Sequence, residues 1–384
     1  MTIVNYFIFS FSLTLWASFL FLNFGKNWLI DIPTERKIHG TPISRIGGLP
    51  IGIVFFLSIF VLGLGSQLLW YLLGGVSIFL LGVWDDRKSI RWPIKLLIQL
   101  FVSCIIIYRF IDTVQSVAFF GSILNFSMFI LIPIFLIWFV GILNAVNLID
   151  GMDGLAGSFM VLITVFSAII GYINDTNLFL VINLSLFGVV TGFLFFNRKP
   201  ARFFMGDSGS LLLGYHVACL PLLYHQSMNG GAILQITPFL ILSSFLIMDT
   251  TRVFFSRALK RQNPMNADTI HLHHLVLKET KSYVGTLIPI FVVTLITGIG
   301  SVLFFQYGFG YLAMQLFLLV LIVFVFTPPV PFYVPLASRI TNYVTSMKTS
   351  RFSNKHLFRI RYLPFLGAAY LICLGIKYYQ PSIM

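Results

Sequence analysis

Long apolar stretches recur along the chain, and they constrain its fold more than any other feature. A helix needs about 20 mainly apolar residues to cross a bilayer, and its backbone groups must then be hydrogen-bonded internally. The pattern predicts an all-α, polytopic integral membrane bundle of about 11 transmembrane helices. The candidate spans are 3–24, 50–67, 69–84, 93–111, 123–143, 155–173, 178–196, 210–225, 232–251, 283–304 and 309–327.

Composition excludes the other broad classes of protein. Only 10% of the residues are charged, which is too few to cover the surface of a soluble protein of 384 residues. The 42 phenylalanines exclude intrinsic disorder. We expect a single polytopic domain over 1–329 and a basic cytoplasmic tail over 330–384. The apolar run 363–376 in that tail is short, and either crosses the membrane or lies at its surface. No nucleic-acid partner is expected.

The basic residues predict which way the bundle faces. Of the 25 lysines and arginines, 23 fall in alternate loops, namely 25–49, 85–95, 198–202, 252–281 and 339–361. Cytoplasmic loops carry such an excess, so this side is predicted to be cytoplasmic and the N-terminus to lie outside. Ten of the 12 acids lie on the same side, which the charge rule does not explain. A cytoplasmic site for a metal and a polyanion would explain it.

The loop after the third span pairs two acids with a lysine. Asp85 and Asp86 are adjacent, so their carboxylates repel each other unless a cation compensates them. Mg²⁺ prefers such oxygen ligands, and Lys95, a short way into the next span, could bind a phosphate. The alternative is a solvated turn in which the acids cap a helix or pair with Arg87 and Lys88.

The loop near residue 150 is the most informative. Asn144, Asn147, Asp150 and Asp153 recur every three residues, and a glycine follows each aspartate. On a helix this spacing brings the side-chain oxygens together, whereas the glycines permit a broken helix that lines a cavity. The segment holds no lysine or arginine, so membrane orientation does not account for it. The alternative is a structural turn with asparagine caps.

Two further loops combine glycines with polar groups. The first holds His39 and Arg45 before the Gly47–Gly48 pair, where small residues permit close approach of a helix or ligand. The other, 206–210, reads Gly-Asp-Ser-Gly-Ser and carries Asp207. The alternatives are an ordinary basic loop for the first segment and a helix cap for the second.

Three histidines, His271, His273 and His274, lie within four residues of one another. Zinc binding, with an oxygen from Asp268, is one interpretation. No cysteine accompanies them and the loop is basic, so a pyrophosphate fits better. A purely structural cluster is the third alternative.

Taken in order, these motifs resemble the polyprenyl-phosphate N-acetylhexosamine-1-phosphate transferase superfamily, glycosyltransferase family 4. The match runs from about residue 25 to 327. The Asp-x-Pro start at Asp31, the His-x-His-His form and the predicted eleven spans are more similar to its UDP-N-acetylglucosamine branch than to the phospho-MurNAc-pentapeptide branch. One departure is the segment after Arg257, which lacks a glycine frequent in this loop.

The resemblance implies transfer of a sugar-1-phosphate from a UDP-N-acetyl sugar to undecaprenyl phosphate, with release of UMP. It implies Mg²⁺, with Mn²⁺ as an alternative, and a place in the bacterial cytoplasmic membrane at the start of lipid-linked cell-surface glycan synthesis. A homodimer is a further expectation. The implied roles are catalysis for Asp85 and Asp86; metal binding for Asp207 and Asn147; diphosphate binding for Lys95, His271, His273 and His274; nucleotide binding for Asp150, Asp153 and Asn144; and a substrate pocket at Gly47, Gly48, His39 and Arg45.

Two alternatives to this function stay open on sequence grounds. The same chemistry could use another donor, namely GalNAc, a 6-deoxy-N-acetylhexosamine or MurNAc-pentapeptide. A secondary transporter would also have many spans, but it would place polar motifs at the bilayer midplane and often in repeated halves. Here the motifs lie at one face, and no internal repeat is found.

Overall fold

The structure is a computed structural model that describes residues 3–25, 27–31, 42–110, 112–261 and 270–308, together with 314, 315 and 317. His39, Asp268 and the tail 330–384 with its apolar run lie outside the described residues, as does nearly all of the predicted span 309–327.

Helices make up most of the described chain, as the apolar pattern predicts. In chain order they are α1 Ile3–Phe24, α2 Gly48–Val61, α3 Leu69–Arg87, α4 Trp92–Phe110, α5 Met128–Ile149, α6 Leu155–Ile173, α7 Asn177–Asn197, α8 Gly206–Ser227, α9 Thr237–Leu242, α10 Ser244–Leu259, α11 Leu272–Thr280 and α12 Tyr283–Tyr307.

Five short strands, which the sequence did not predict, form two small sheets. β1 (Ile30–Asp31) and β2 (Ile43–Ser44) pair antiparallel beside the start of α2. The other sheet has β3 (Ser116–Phe119) between β4 (Ser122–Leu124), which is antiparallel to it, and β5 (Ile233–Gln235), which is parallel.

Seven helices in the described part of the chain, α1, α3, α4, α5, α6, α7 and α12, are long and apolar enough to cross a membrane. This confirms a polytopic helical membrane protein, whereas the number eleven and the orientation stay predictions. Two predicted spans differ in detail. α2 has 14 residues, about 21 Å of helix, which is short for the hydrocarbon core. The segment predicted as a span at 232–251 is a strand followed by α9 and α10.

α8 lies at the centre of the bundle, and its neighbours approach it closely. A Cβ on Gly214 would lie 2.8 Å from the Leu143 backbone of α5, and one on Gly74 of α3 would lie 2.4 Å from the Tyr215 hydroxyl. The carboxyl ends of α3 and α5 and the amino end of α4 meet at the amino end of α8. Residues far apart in sequence therefore gather at one end of the bundle.

Candidate active site

The start of α8 is held by a carboxylate from another helix. Asp86, at the end of α3, accepts the Asp207 backbone N–H on Oδ1 at 2.8 Å and the Ser208 backbone N–H on Oδ2 at 2.9 Å. The first N–H groups of a helix lack partners within it, so a carboxylate there is favoured. Gly206 enters the helix with φ of 70°, a conformation that suits glycine. Asp86 thus fixes the position of Asp207 in the first turn of α8.

Lys95 joins two of the predicted site carboxylates. Its ammonium forms ion pairs with Asp85 Oδ2 and, at 3.1 Å, with Asp207 Oδ2. Asp85 is 7% exposed and also accepts the Ile90 backbone N–H on Oδ1 at 2.6 Å. A buried carboxylate this close to a second one needs a positive charge between them. The amino end of α4 supplies that charge between α3 and α8.

Asn147, on α5, also contacts the Asp207 carboxylate. Its Nδ2 donates to Asp207 Oδ1 at 2.9 Å and to Ser210 Oγ at 2.8 Å. In this arrangement the Asn147 amide nitrogen, rather than the predicted metal-ligand oxygen, faces Asp207, so Asn147 orients that carboxylate. The role of Asn147 as a metal ligand stays a prediction.

A magnesium ion fits this group of oxygens better than zinc does. Within the described ranges, no three His, Cys, Asp or Glu side chains converge as a ready-made metal site. Mg²⁺ does not need such a cage, because it usually binds one or two carboxylates and completes its shell with water and substrate phosphates. Asp207 is partly exposed and has Asp85 close by on the other side of Lys95. The donor set is therefore of the hard-oxygen type.

Asn144 lies one helical turn before Asn147 and is paired within the protein. Its Nδ2 donates to Gln99 Oε1 at 2.8 Å and to the Val140 carbonyl at 2.7 Å. Gln99 is itself one turn beyond Lys95 on α4. The pair therefore joins α4 to α5 beneath the Lys95 and Asn147 side chains. The contacts support a packing role, and the predicted nucleotide contact of Asn144 is untested.

The loop between α5 and α6 carries Asp150 and Asp153 in different surroundings. Burial raises the pKa of Asp150 well above its usual range, and the charges of Asp207 and Asp86 raise it further. Arg45 opposes this effect. Asp150 therefore lies within electrostatic range of the carboxylates at the start of α8.

Asp153 instead connects its loop to the segment before α8. Its Oδ2 accepts the Ala201 backbone N–H at 3.1 Å, and its backbone carbonyl accepts the Tyr283 hydroxyl. The next residue, Gly154, donates its backbone N–H to Asn197 Oδ1 at 2.9 Å. These contacts fix the loop between α6, α7 and α12.

The histidine cluster lies against the same loop. A Cβ on Gly151 would lie 2.3 Å from His273 Nε2 and 3.2 Å from His274 Nε2, so a side chain there would have to displace the His273 ring. The His273 and His274 ring centroids are 4.2 Å apart. Burial lowers the pKa of His273 to about 3, which keeps its ring neutral in the protein alone. The structure thus brings His273 and His274 to the Asp150 loop.

The Gly47–Gly48 pair packs against the chain itself. A Cβ on Gly47 would lie 2.5 Å from the Phe204 carbonyl, and one on Gly48 would lie 2.3 Å from the Gly209 backbone nitrogen. The glycines therefore make room for residues 203–209. Their predicted role in admitting substrate stays a prediction. Arg45 is close by and donates to Asp31 Oδ1 at 2.6 Å.

Known proteins resemble this chain over the same region. The model of the family described as "Glycosyl transferase family 4" matches residues 68–225. A protein of Bacillus subtilis (strain 168), named "Probable undecaprenyl-phosphate N-acetylglucosaminyl 1-phosphate transferase", is 32% identical over 280 residues, which are 71% of this chain and 76% of the relative. The chain belongs to glycosyl transferase family 4.

Two other similar proteins represent the two branches considered from the sequence. An "Undecaprenyl-phosphate alpha-N-acetylglucosaminyl 1-phosphate transferase" of Thermotoga maritima is 29% identical over 65% of this chain and 73% of the relative. A "Phospho-N-acetylmuramoyl-pentapeptide-transferase" of Clostridium perfringens is 35% identical over a shorter region, 53% of this chain and 67% of the relative. The resemblance inferred from the motifs, including that to the N-acetylglucosamine branch, is confirmed.

The family 4 match from 68 to 225 covers α3 to α8, which carry Asp85, Lys95, Asn147 and Asp207. Three residues that lie beside these groups had no role predicted from the sequence: Gln99, Ser210 and, next to the histidines, Asp249. For Asp249 a signal was present, because an acid that follows an apolar run in a membrane protein is a functional candidate. Gln99 and Ser210 gave no comparable signal.

Proposed function

We propose that this family 4 protein transfers N-acetylhexosamine-1-phosphate, with GlcNAc-1-phosphate favoured, from a UDP-sugar to undecaprenyl phosphate and releases UMP. The observation that carries the proposal is the contact of Lys95 with both Asp85 and Asp207 at the end of a membrane bundle. The printed names of the two N-acetylglucosaminyl relatives support the choice of donor and acceptor.

Such a site suits phosphoryl transfer because that reaction depends on positioning and charge neutralisation rather than on a protein nucleophile. An oxygen of the acceptor phosphate forms a bond to the sugar-linked phosphorus, and the bond from that phosphorus to the bridging oxygen breaks. UMP leaves with that oxygen. The acceptor phosphate has a second pKa of about 6 and is largely ionised near neutrality, so orientation matters more than deprotonation.

On the acceptor side, Asp85 orients the phosphate. Asp86 contributes through the start of α8, because both of its carboxylate oxygens accept backbone N–H groups there. A displacement of α8 by 1 Å would move Asp207 by a similar distance, and misplacement on that scale can cost about 100-fold in rate.

Magnesium would be held by Asp207, with Asn147 beside it, and Mn²⁺ is the alternative ion. When bound, such an ion neutralises phosphate oxygens and fixes their geometry. In the protein alone, Lys95 and Asn147 supply the hydrogen bonds that orient the Asp207 carboxylate. The Lys95 ammonium, which pairs with Asp207 Oδ2 in the protein alone, would supply positive charge to a phosphate when the substrate is bound.

On the donor side, His271, His273, His274 and Lys95 would bind the diphosphate. The contact of Gly151 with the His273 and His274 rings supports this assignment, because it brings them beside Asp150. Asp150, Asp153 and Asn144 would frame the nucleotide, and Gly47, Gly48, His39 and Arg45 would border the substrate pocket.

We further propose that this end of the bundle faces the bacterial cytoplasm, where a soluble UDP-sugar is available, and that the enzyme lies in the inner membrane. The concentration of 23 of the 25 basic residues in alternate loops supports this orientation. A homodimer is part of the proposal, and cross-linking in membranes would test it.

The experiment is a donor comparison with purified protein, undecaprenyl phosphate and MgCl₂. UDP-GlcNAc, UDP-GalNAc, a UDP-6-deoxy-N-acetylhexosamine and UDP-MurNAc-pentapeptide are compared by the mass of the lipid product and by UMP release. UDP-GlcNAc should give the fastest transfer, and chelation of the metal should stop it. A preference for another donor would refute the sugar assignment alone, whereas no lipid product from any donor would refute the function.

A further inference from the structure

One buried acid has no role in the proposed reaction. Asp249 lies on α10, directly after the apolar residues 245–248, and is 7% exposed. Its Oδ1 accepts two hydrogen bonds, from the Arg252 guanidinium at 2.9 Å and from the Leu272 backbone N–H at 3.1 Å. Arg252 also donates to the Ile270 carbonyl at 2.6 Å. Asp249 and Arg252 together hold α10 against the start of the histidine motif.

The other oxygen of Asp249 contacts a histidine of the proposed diphosphate site. Oδ2 lies 2.9 Å from His271 Nδ1, and both side chains are buried. An ionised carboxylate only accepts hydrogen bonds, so Nδ1 must carry a hydrogen. A carboxylate in this position fixes the orientation of an imidazole and stabilises its protonated form. Any further contact of the ring must therefore be made by Nε2.

Two imidazole nitrogens of the motif lack partners. The Nε2 atoms of His271 and His273 are buried and have no hydrogen-bond partner among the residues that the structure describes. The two rings are nearly parallel, with centroids 6.1 Å apart and an angle of 17° between their planes. His273 in turn contacts Gly151. Leaving such nitrogens unsatisfied is unfavourable, so a ligand that reached both rings would find two unused polar atoms.

An anion is the ligand that a protonated His271 would require. Asp249 and Arg252 form an ion pair at 2.9 Å, so their charges offset each other. A protonated His271 would then be the uncompensated charge of the group, and an anion at Nε2 would balance it. In the proposed reaction the anion available is the diphosphate of the nucleotide donor.

We propose that Asp249 is a positioning residue that acts through His271: it holds Nδ1 protonated and stabilises the imidazolium that forms when Nε2 binds a diphosphate oxygen. The inference rests on the proposed function, because it takes a UDP-sugar as the ligand. The proton on Nε2 comes from solvent when the nucleotide binds, and it returns to solvent when the nucleotide leaves.

The variant that tests this is Asp249→Asn. Its amide oxygen can keep the two contacts of Oδ1, which turns the amide NH₂ group toward His271 Nδ1. Nδ1 must then accept a hydrogen bond, so the ring is neutral with its one hydrogen on Nε2. Because charge-assisted hydrogen bonds are roughly twice as strong as neutral ones, affinity for UDP-GlcNAc should fall about tenfold. Affinity for uridine, which has no phosphate, should change less than twofold.

Calorimetry without the lipid acceptor measures these affinities in the absence of turnover. The His271→Gln variant and the double variant complete a double-mutant cycle. If Asp249 acts through His271, the double variant should bind UDP-GlcNAc with an affinity within twofold of that of His271→Gln. Unchanged affinity in Asp249→Asn, or fully additive losses in the double variant, would overturn the proposal. Failure of the wild-type protein to bind UDP-GlcNAc would instead contradict the proposed function, on which the inference depends.

A measurement on the wild-type protein keeps the test independent of whether Asp249→Asn folds. With ¹⁵N-labelled histidine and assignment by His271→Gln, saturation with UDP should give His271 two protonated ring nitrogens. A His271 ring that keeps an unprotonated Nε2 at saturating UDP would overturn the role of Asp249.

Discussion

Gly82 allows α3 to approach the start of α8. Replacing it with alanine should displace the site carboxylates without changing any polar side chain. A Cβ on Gly82 would lie 2.4 Å from Ser208 Cα and 2.5 Å from the Asp207 carbonyl. Carbon atoms in good contact are about 3.5 Å apart or more, so α3 and α8 must separate by about 1 Å. Asp85 and Asp86 lie one turn later on the same helix and would move with it.

The expected magnitude follows from that displacement. Overpacking costs about 1–3 kcal/mol, and the better helix propensity of alanine offsets about 1 kcal/mol of it, so Gly82→Ala should fold. A 1 Å misplacement of reacting groups costs up to about 100-fold, so we expect kcat for lipid-linked product to fall between tenfold and 100-fold. Initial rates in detergent, with a thermal unfolding curve for each protein, measure both quantities.

The matched control is Gly141→Ala on α5. A Cβ at Gly141 would meet nothing within 4 Å, so its kcat should stay within twofold of wild type and its melting temperature should not fall. If Gly82→Ala folds and turns over at the rate of Gly141→Ala, the contact between α3 and the start of α8 does not position the site.

Three further variants separate the contacts of the site from those of the bundle. Asp86→Asn turns an amide NH₂ toward a backbone N–H at the start of α8, so the two donors face each other. We expect kcat to fall at least about tenfold and the free energy of unfolding to fall by about 1–3 kcal/mol. Wild-type values for both would contradict the capping role of Asp86. Gly151→Ala must push the His273 ring aside, so KM for the UDP-sugar should rise while KM for undecaprenyl phosphate stays unchanged. A raised KM for undecaprenyl phosphate alone would place the histidines on the acceptor side. Tyr71→Phe removes the hydroxyl that lies 2.8 Å from the buried His216 Nδ1. The free energy of unfolding should fall by about 1–3 kcal/mol, and kcat should not change. A lower kcat with unchanged stability would instead show that the pair has a functional role.

Much of the site could be predicted because its signals are local and unusual. An acid at the end of an apolar segment is costly, so Asp85, Asp150 and Asp207 stand out against their surroundings. Antiparallel helices bring alternate loops to the same end, which explains why side chains from α3, α4, α5 and α8 meet. Helix type and most helix positions followed from the length of the apolar runs.

Other features depend on three-dimensional packing that no local pattern records. Gly47 and Gly48 looked like space for a ligand, but only the fold shows residues 203–209 filling that space. The spacing of the Asn144 loop suggested convergent ligands, yet Asn144 pairs with Gln99 on another helix. The apolar run at 232–251 gave no sign of its interruption between α9 and α10.

The most direct test of the proposed function follows one phosphorus atom. UDP-GlcNAc labelled with ³²P in the phosphate attached to the sugar is incubated with the purified protein, undecaprenyl phosphate and MgCl₂. Transfer of sugar-1-phosphate predicts that the label moves into the lipid fraction and that unlabelled UMP appears in equal amount. Two results would contradict the function proposed for this chain. In one, the label stays in the aqueous phase as UDP while GlcNAc alone is attached to the lipid; in the other, the label stays in unreacted donor.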